Sequence, residues 1–289
     1  MTADAGPGAL PAESALAFEV WGDPIDHSLS PRIHRAAYAA LGWDWTYDRR
    51  RVDVAGFPRE IDALDARHRG LSLTFPLKAA AFARADTRDR TAELTGAVNT
   101  LVREGGALHG YNTDVGGLAA DVRAQGVDDL ERARIVGAGS TATSALVALG
   151  DLGAREVEVV ARRPEAAAAL VDLGARLGMQ VSVTAPDAVA PASMPLTVST
   201  LPGGAALPGD AAAVLASGGG LLYDVVYGGW PTPLAAAWQS AGAPAVNGLG
   251  MLVQQAVRQI RVFAGLAVDE PLPAEDDIVD VMRSALVGD

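Results

Sequence analysis

The chain has 289 residues, enough for about two domains on length alone. Its 23 Lys and Arg against 35 Asp and Glu leave a net charge of −12, which argues against a nucleic-acid binder and against docking on an anionic membrane surface. Cysteine is absent and His occurs four times, which removes disulfides, thiolate nucleophiles and cysteine-held metals, and no metal is expected.

Residues 1–16 are rich in Gly, Pro and Ala and lack a basic segment ahead of an apolar one. They read as a disordered extension, not a secretory leader. No apolar run reaches the ~18 residues of a membrane span, so the cytoplasm is the expected location. A short strand is expected at 17–23. A helix follows, with Ser30 as its N-cap, Pro31 as its first residue and Gly42 closing it. Strands at 45–52 and 70–76 bracket a helix at about 57–68, and this alternation predicts a parallel core. Residues 77–97 read as mostly helical. A strand pair at 98–103 and 107–111 turns at Glu104-Gly105-Gly106, and Asp114 reads as the N-cap of a helix ending near Gln125.

The second half opens with strand, glycine turn and helix over 132–153. Strands at 156–163, 180–185, 196–202 and 220–227 and a helix at 164–177 fit a doubly wound sheet. Helices at 231–242, 248–265 and 275–286 complete the chain. In the second of these, Leu249, Leu252, Val253, Ala256, Val257, Ile260 and Phe263 mark one apolar face.

Two groups of residues suggest chemistry. Gly137-Ala138-Gly139-Ser140-Thr141-Ala142 fits G-x-G-x-x-A between a strand and a helix. There the first glycine permits the turn, the second admits a pyrophosphate and the alanine keeps helix and strand close. The same turn also serves as plain structure in α/β proteins. The next strand ends Ala161-Arg162-Arg163 with no terminal acid, which favours a 2′-phosphate, and hence NADP, over the bare ribose of NAD. In the first half, Ser28 and Ser30 sit where a helix N-terminus can hold a small anion. Thr74 and Lys78 follow an apolar strand, and Asn99 and Asp114 bracket the hairpin. Capping accounts for Ser30 and Asp114 as structure, but not for Ser28.

From about residue 18 onward the chain resembles the shikimate dehydrogenase family over nearly its whole length. GDPIDHSLSPRIH, LTFPLK, GAVNTL, YNTD, VGAGSTA, YDVVY and NGLGMLVQQA occur in the family's order. The resemblance implies an α/β protein of two domains with the active site in the cleft between them. A substrate domain would comprise 1–114 plus 249–289, and a Rossmann-type NADP-binding domain 115–248. Ser28 and Ser30 would bind the shikimate carboxylate, with Tyr227 near it. Thr74, Asn99 and Gln255 would contact the ring hydroxyls. Lys78 and Asp114 would form the catalytic pair against the bound substrate. NADP(H) would lie on Gly137 to Ala142, Arg162, Arg163, Thr200, Val225 and Gly248. The implied reaction is reversible NADPH-dependent reduction of 3-dehydroshikimate to shikimate, a step toward chorismate and the aromatic amino acids.

Ser72, Leu73, Val115, Ala161 and Asn247 depart from the family's frequent residues. Ser72 stands where Asn is common. Quinate/shikimate and aminoshikimate dehydrogenases are sister readings, although the serine pair and the arginine pair point away from quinate with NAD. A non-catalytic NADP-binding sensor would be expected to lose Lys78 or Asp114, and both are present. The expected ligand is a small molecule, and monomer and homodimer both remain open.

Overall fold

The computed structural model describes residues 16–287. The expected extension falls on residues outside these, except Leu16, whose side chain packs on the core and whose carbonyl accepts from Thr46 N–H at 2.9 Å.

The first half holds β1 (Ala17–Gly22), α1 (Ser30–Leu41), β2 (Thr46–Arg51), α2 (Phe57–Asp62), β3 (His68–Leu73), α3 (Lys78–Arg84), β4 (Thr87–Arg88), α4 (Arg90–Thr95), β5 (Thr100–Glu104), β6 (Ala107–Tyr111) and α5 (Thr113–Ala124). The strands form one sheet in the order β2-β1-β3-β5-β6-β4. Only its β2-β1-β3 part is the parallel core expected; β3–β5 and β5–β6 are antiparallel. Alternation along β1 sends Phe18 and Val20 to one core and Trp21 to the other.

Several boundaries differ from the sequence reading. Helix α2 stops at Asp62, short of 68. Residues 77–97 break into α3 and α4 around the two-residue β4, because Asp89 caps a new helix by accepting from Ala92 N–H. Asp114 is not the cap of α5: Asn112 accepts from its N–H at 3.1 Å, which places Asp114 inside the first turn. Ser30 is likewise the first helical residue with no side-chain cap, and Ser28 Oγ accepts from its N–H at 3.4 Å.

The second half holds β7 (Arg132–Val136), α6 (Ser140–Asp151), β8 (Glu156–Val160), α7 (Ala168–Arg176), β9 (Gln180–Thr184), β10 (Leu196–Ser199), α8 (Ala211–Ser217), β11 (Leu221–Asp224), α9 (Pro233–Ser240), β12 (Ala245–Val246), α10 (Leu249–Phe263) and α11 (Glu275–Val287). Its sheet is wholly parallel in the order β12-β11-β10-β7-β8-β9, the doubly wound arrangement. The sequence reading did not include α8 and β12. Strand β8 ends at Val160, so Arg162 and Arg163 lie beyond it.

Two helices join the halves. In α10, Val253, Val257, Ile260 and Phe263 belong to the core of the first sheet. In α5, Val115, Leu118 and Val122 belong to the core of the second, which Met251 of α10 also enters. The two helices pack along each other.

Candidate active site

A cavity of about 600 Å³ opens at the carboxyl ends of β1 and β3. Ser28, Ser30, Thr74, Lys78, Asn99, Asp114, Tyr227 and Gln255 all line it, so eight residues scattered over the chain meet in one cavity.

Lys78 opens α3 and Asp114 lies in the first turn of α5. Lys78 Nζ donates to Asp114 Oδ2 at 2.6 Å, with the side chains only 14% and 9% exposed. The other carboxylate oxygen accepts from Asn99 Nδ2 at 2.8 Å. A carboxylate at a helix N-terminus is favoured by the aligned peptide dipoles. Asp114 is thus pinned from two sides, and its ammonium partner faces the cavity. Burial pushes the Tyr227 phenol upward, so it keeps its hydrogen. Gln255 Nε2 donates to the Leu252 carbonyl at 2.8 Å.

A second cavity, about 670 Å³, lies over the switch point between β7 and β10. Gly137, Ala138, Gly139, Ser140, Thr141, Arg162, Arg163, Thr200 and Val225 line it. Gly137 has φ +116°, and a Cβ there would stand 2.4 Å from Thr200 Oγ1, so the turn requires glycine. Gly139 has open space on its Cβ side, and the unpaired N–H groups of the first turn of α6 adjoin it. Arg162 and Arg163 are exposed and form no salt bridge with another described residue, leaving both guanidinium groups free for an anion. The glycine cradle, the helix start and the arginine pair fit a dinucleotide phosphate carrying an extra 2′-phosphate.

Two expected cofactor residues lie elsewhere. Ala142 is fully buried in the core between α6 and the sheet, where a small side chain is needed. Gly248 lines the first cavity and not the second.

The two cavities meet. Thr74, Phe75, Lys78, Thr141, Pro202 and Val225 line both. Phe75 is 72% exposed at this junction.

Sequence reasoning missed the polar wall behind Ser30. His34, Tyr47 and Gln259 are buried there beside Ser72. Tyr47 OH donates to Ser72 Oγ at 2.6 Å, and Ser72 Oγ to Gln259 Oε1 at 2.8 Å. Burial drives the His34 pKa down to about 3, against the hydrogen bond with Gln259, so the ring is neutral. One signal was available: Gln259 lies four residues after Gln255, on the same face of α10.

The description "Shikimate dehydrogenase substrate binding domain" matches residues 20–101. The shikimate dehydrogenase (NADP(+)) of Citrifermentans bemidjiense is 40% identical over 263 residues, which is 84% of this chain and 88% of that protein. The crystal structure of Mycobacterium tuberculosis shikimate dehydrogenase superposes with a TM-score of 0.79 at 40% identity, covering 94% of this chain and 98% of that one. The Thermus thermophilus enzyme in complex with NADP(H) and shikimate gives a TM-score of 0.77 at 29% identity, covering 93% and 99%.

Proposed function

The chain belongs to the shikimate dehydrogenase family, and from that premise we propose that its joined cavities interconvert shikimate and 3-dehydroshikimate with NADP(H). The observation that carries this reading is Lys78, paired with Asp114 and lining both the polar cavity and the glycine-turn cavity. A proton donor must stand beside the carbonyl where hydride arrives, and Lys78 occupies that junction. When bound, NADP(H) supplies the hydride chemistry.

In the reducing direction Lys78 Nζ gives a proton to the oxygen developing on the ring, and in oxidation it receives one. Asp114 holds Nζ at 2.6 Å, and Asn99 prevents the carboxylate from turning away. Ser28, Ser30 and Tyr227 hold the carboxylate, while Thr74, Asn99 and Gln255 hold the ring hydroxyls. Arg162 and Arg163 select the 2′-phosphate. The substrate domain is taken as 1–114 plus 249–289 and the cofactor domain as 115–248; the apolar face of α5 lying in the second core supports that division. The helices of the described residues include none long and apolar enough to cross a membrane.

The test is a rate assay crossing shikimate and quinate with NADP and NAD. Fast turnover with shikimate and NADP alone is expected. Preference for quinate or NAD would overturn the substrate or the arginine assignment respectively. NADP binding without turnover on any pair would overturn the reaction.

A further inference from the structure

The hydrogen bond that pins Asp114 is the last of a line that starts on α10. Asn99 Oδ1 accepts from Thr113 N–H at 2.9 Å, and a backbone N–H can only donate, so Nδ2 faces Asp114 Oδ1 at 2.8 Å. Thr100 Oγ1 lies 2.8 Å from the same Oδ1 and 3.0 Å from Gln259 Nε2. The Gln259 amide also reaches the Asn99 carbonyl at 3.4 Å, which can only accept, so its nitrogen stands on that side and donates to Thr100. Thr100 therefore receives one hydrogen from Gln259 and gives its own to Asn99. Every hydrogen points the same way, from Gln259 through Thr100 and Asn99 to the carboxylate that holds Lys78 Nζ at 2.6 Å. Thr100 itself is fully buried and lines neither of the two cavities.

We propose that Thr100 is a positioning residue for the Lys78–Asp114 pair, acting through the Asn99 amide. Resting on the reaction reading above, this role needs no contact with substrate. The terminal torsion of an Asn side chain is broad, so the tilt of the Asn99 amide is set by its partners. Thr113 N–H alone would leave the amide free to pivot about one bond. The Thr100 hydrogen arrives at Oδ1 as a second donor and fixes the plane. Accepting it also polarises the amide and strengthens the Nδ2 bond to Asp114. The other Nδ2 hydrogen goes to Thr113 Oγ1 at 2.9 Å and is the one a ring hydroxyl can take over. Substrate contact and the hold on Asp114 thus use different hydrogens of one amide.

Thr100→Val removes the hydroxyl and keeps the branched shape. Its kcat should fall by about three- to tenfold, one hydrogen bond's worth, and Thr100→Ser should restore it. In an Asp114→Asn background the same change should lower kcat by less than about twofold, because the pair it serves is gone. A Thr100 serving only as structure predicts unchanged kcat in the folded variant or equal losses in both backgrounds, and either result overturns the inference. Should Thr100→Val not fold, Thr100→Ala takes its place in the same cycle. Lys78 is the only lysine in the chain, so isotopically labelled lysine gives a single ammonium signal by NMR. Its hydrogens should exchange with water faster in Thr100→Val than in wild type or Thr100→Ser, and equal rates overturn the inference. This readout needs no substrate. Faster exchange in the variant of a wild type that turns over no shikimate would overturn the reaction reading and support the hold of Thr100 on the pair.

Discussion

Asp121 on α5 occupies the space that a side chain at Gly250 on α10 would need: a Cβ there would stand 2.1 Å from either carboxylate oxygen. Tyr223 OH donates to Asp121 Oδ2 at 2.6 Å and accepts from Met251 N–H at 3.1 Å. The contact joins the two helices that link the sheets. Gly250→Ala should lower stability by about 1–3 kcal/mol, the usual range for overpacking. Denaturant midpoints check this; an unchanged midpoint would mean that α5 and α10 can separate freely.

Asp121 also carries a pH signature. Burial raises its pKa, outweighing the Tyr223 hydrogen bond. A raised carboxyl favours folding while protonated. That contribution is complete below the unfolded-state pKa and is lost as pH rises through the folded one. Asp121→Asn cannot ionise, so its loss of melting temperature between pH 4 and pH 7 should be smaller than wild type's, or its gain larger. Parallel curves would refute the assignment.

His34 has the opposite slope. Its pKa is down to about 3 because burial opposes the charged ring. The unfolded chain binds this proton near pH 6.5, so the stabilising contribution is complete above that and declines as pH falls toward 3. Urea midpoints at pH 7 and pH 5 should show wild type losing stability, and His34→Gln should show a smaller loss.

Removing the Lys78 ammonium with Lys78→Met should lower turnover by on the order of 10²–10⁴, the range for a positioned general acid. The KM for shikimate should move far less. Asp114→Asn should fall in the same parameter. A variant at Lys78 with full kcat would remove this residue from the chemistry.

Arg162 and Arg163 are exposed and unpaired among the described residues, so they can be changed with little effect on folding. Replacing both by Ala should reduce kcat/KM for NADP by on the order of 10–100-fold, the worth of a charge-assisted hydrogen bond, and leave NAD unchanged. An equal loss with both cofactors would show that they do not read the 2′-phosphate.

The glycine turn was legible because its mechanism is local: strand, tight turn and helix start follow one another within ten residues. Lys78 and Asp114 were legible through motif order, although nothing near either indicates a partner 36 positions away at 2.6 Å. The capping assignments at Ser30 and Asp114 each missed by one or two residues, since a neighbour, Ser28 or Asn112, supplied the hydrogen bond. A capping residue is chosen by backbone conformation at the helix start, and several polar residues in a row make that choice ambiguous.

By itself the sequence determined the family, the α/β class, the doubly wound second half and the residue types available for chemistry, because these rest on periodicity, turn residues and motif order. The tertiary structure alone decided which groups meet. Long-range folding put Gln259 against Ser72, Asp121 against Gly250 and Lys78 at the junction of two cavities. Those pairings depend on helix packing across α5 and α10. The buried hydrogen bond from Tyr47 to Ser72 also appears only there, since it joins strands that are far apart in the chain.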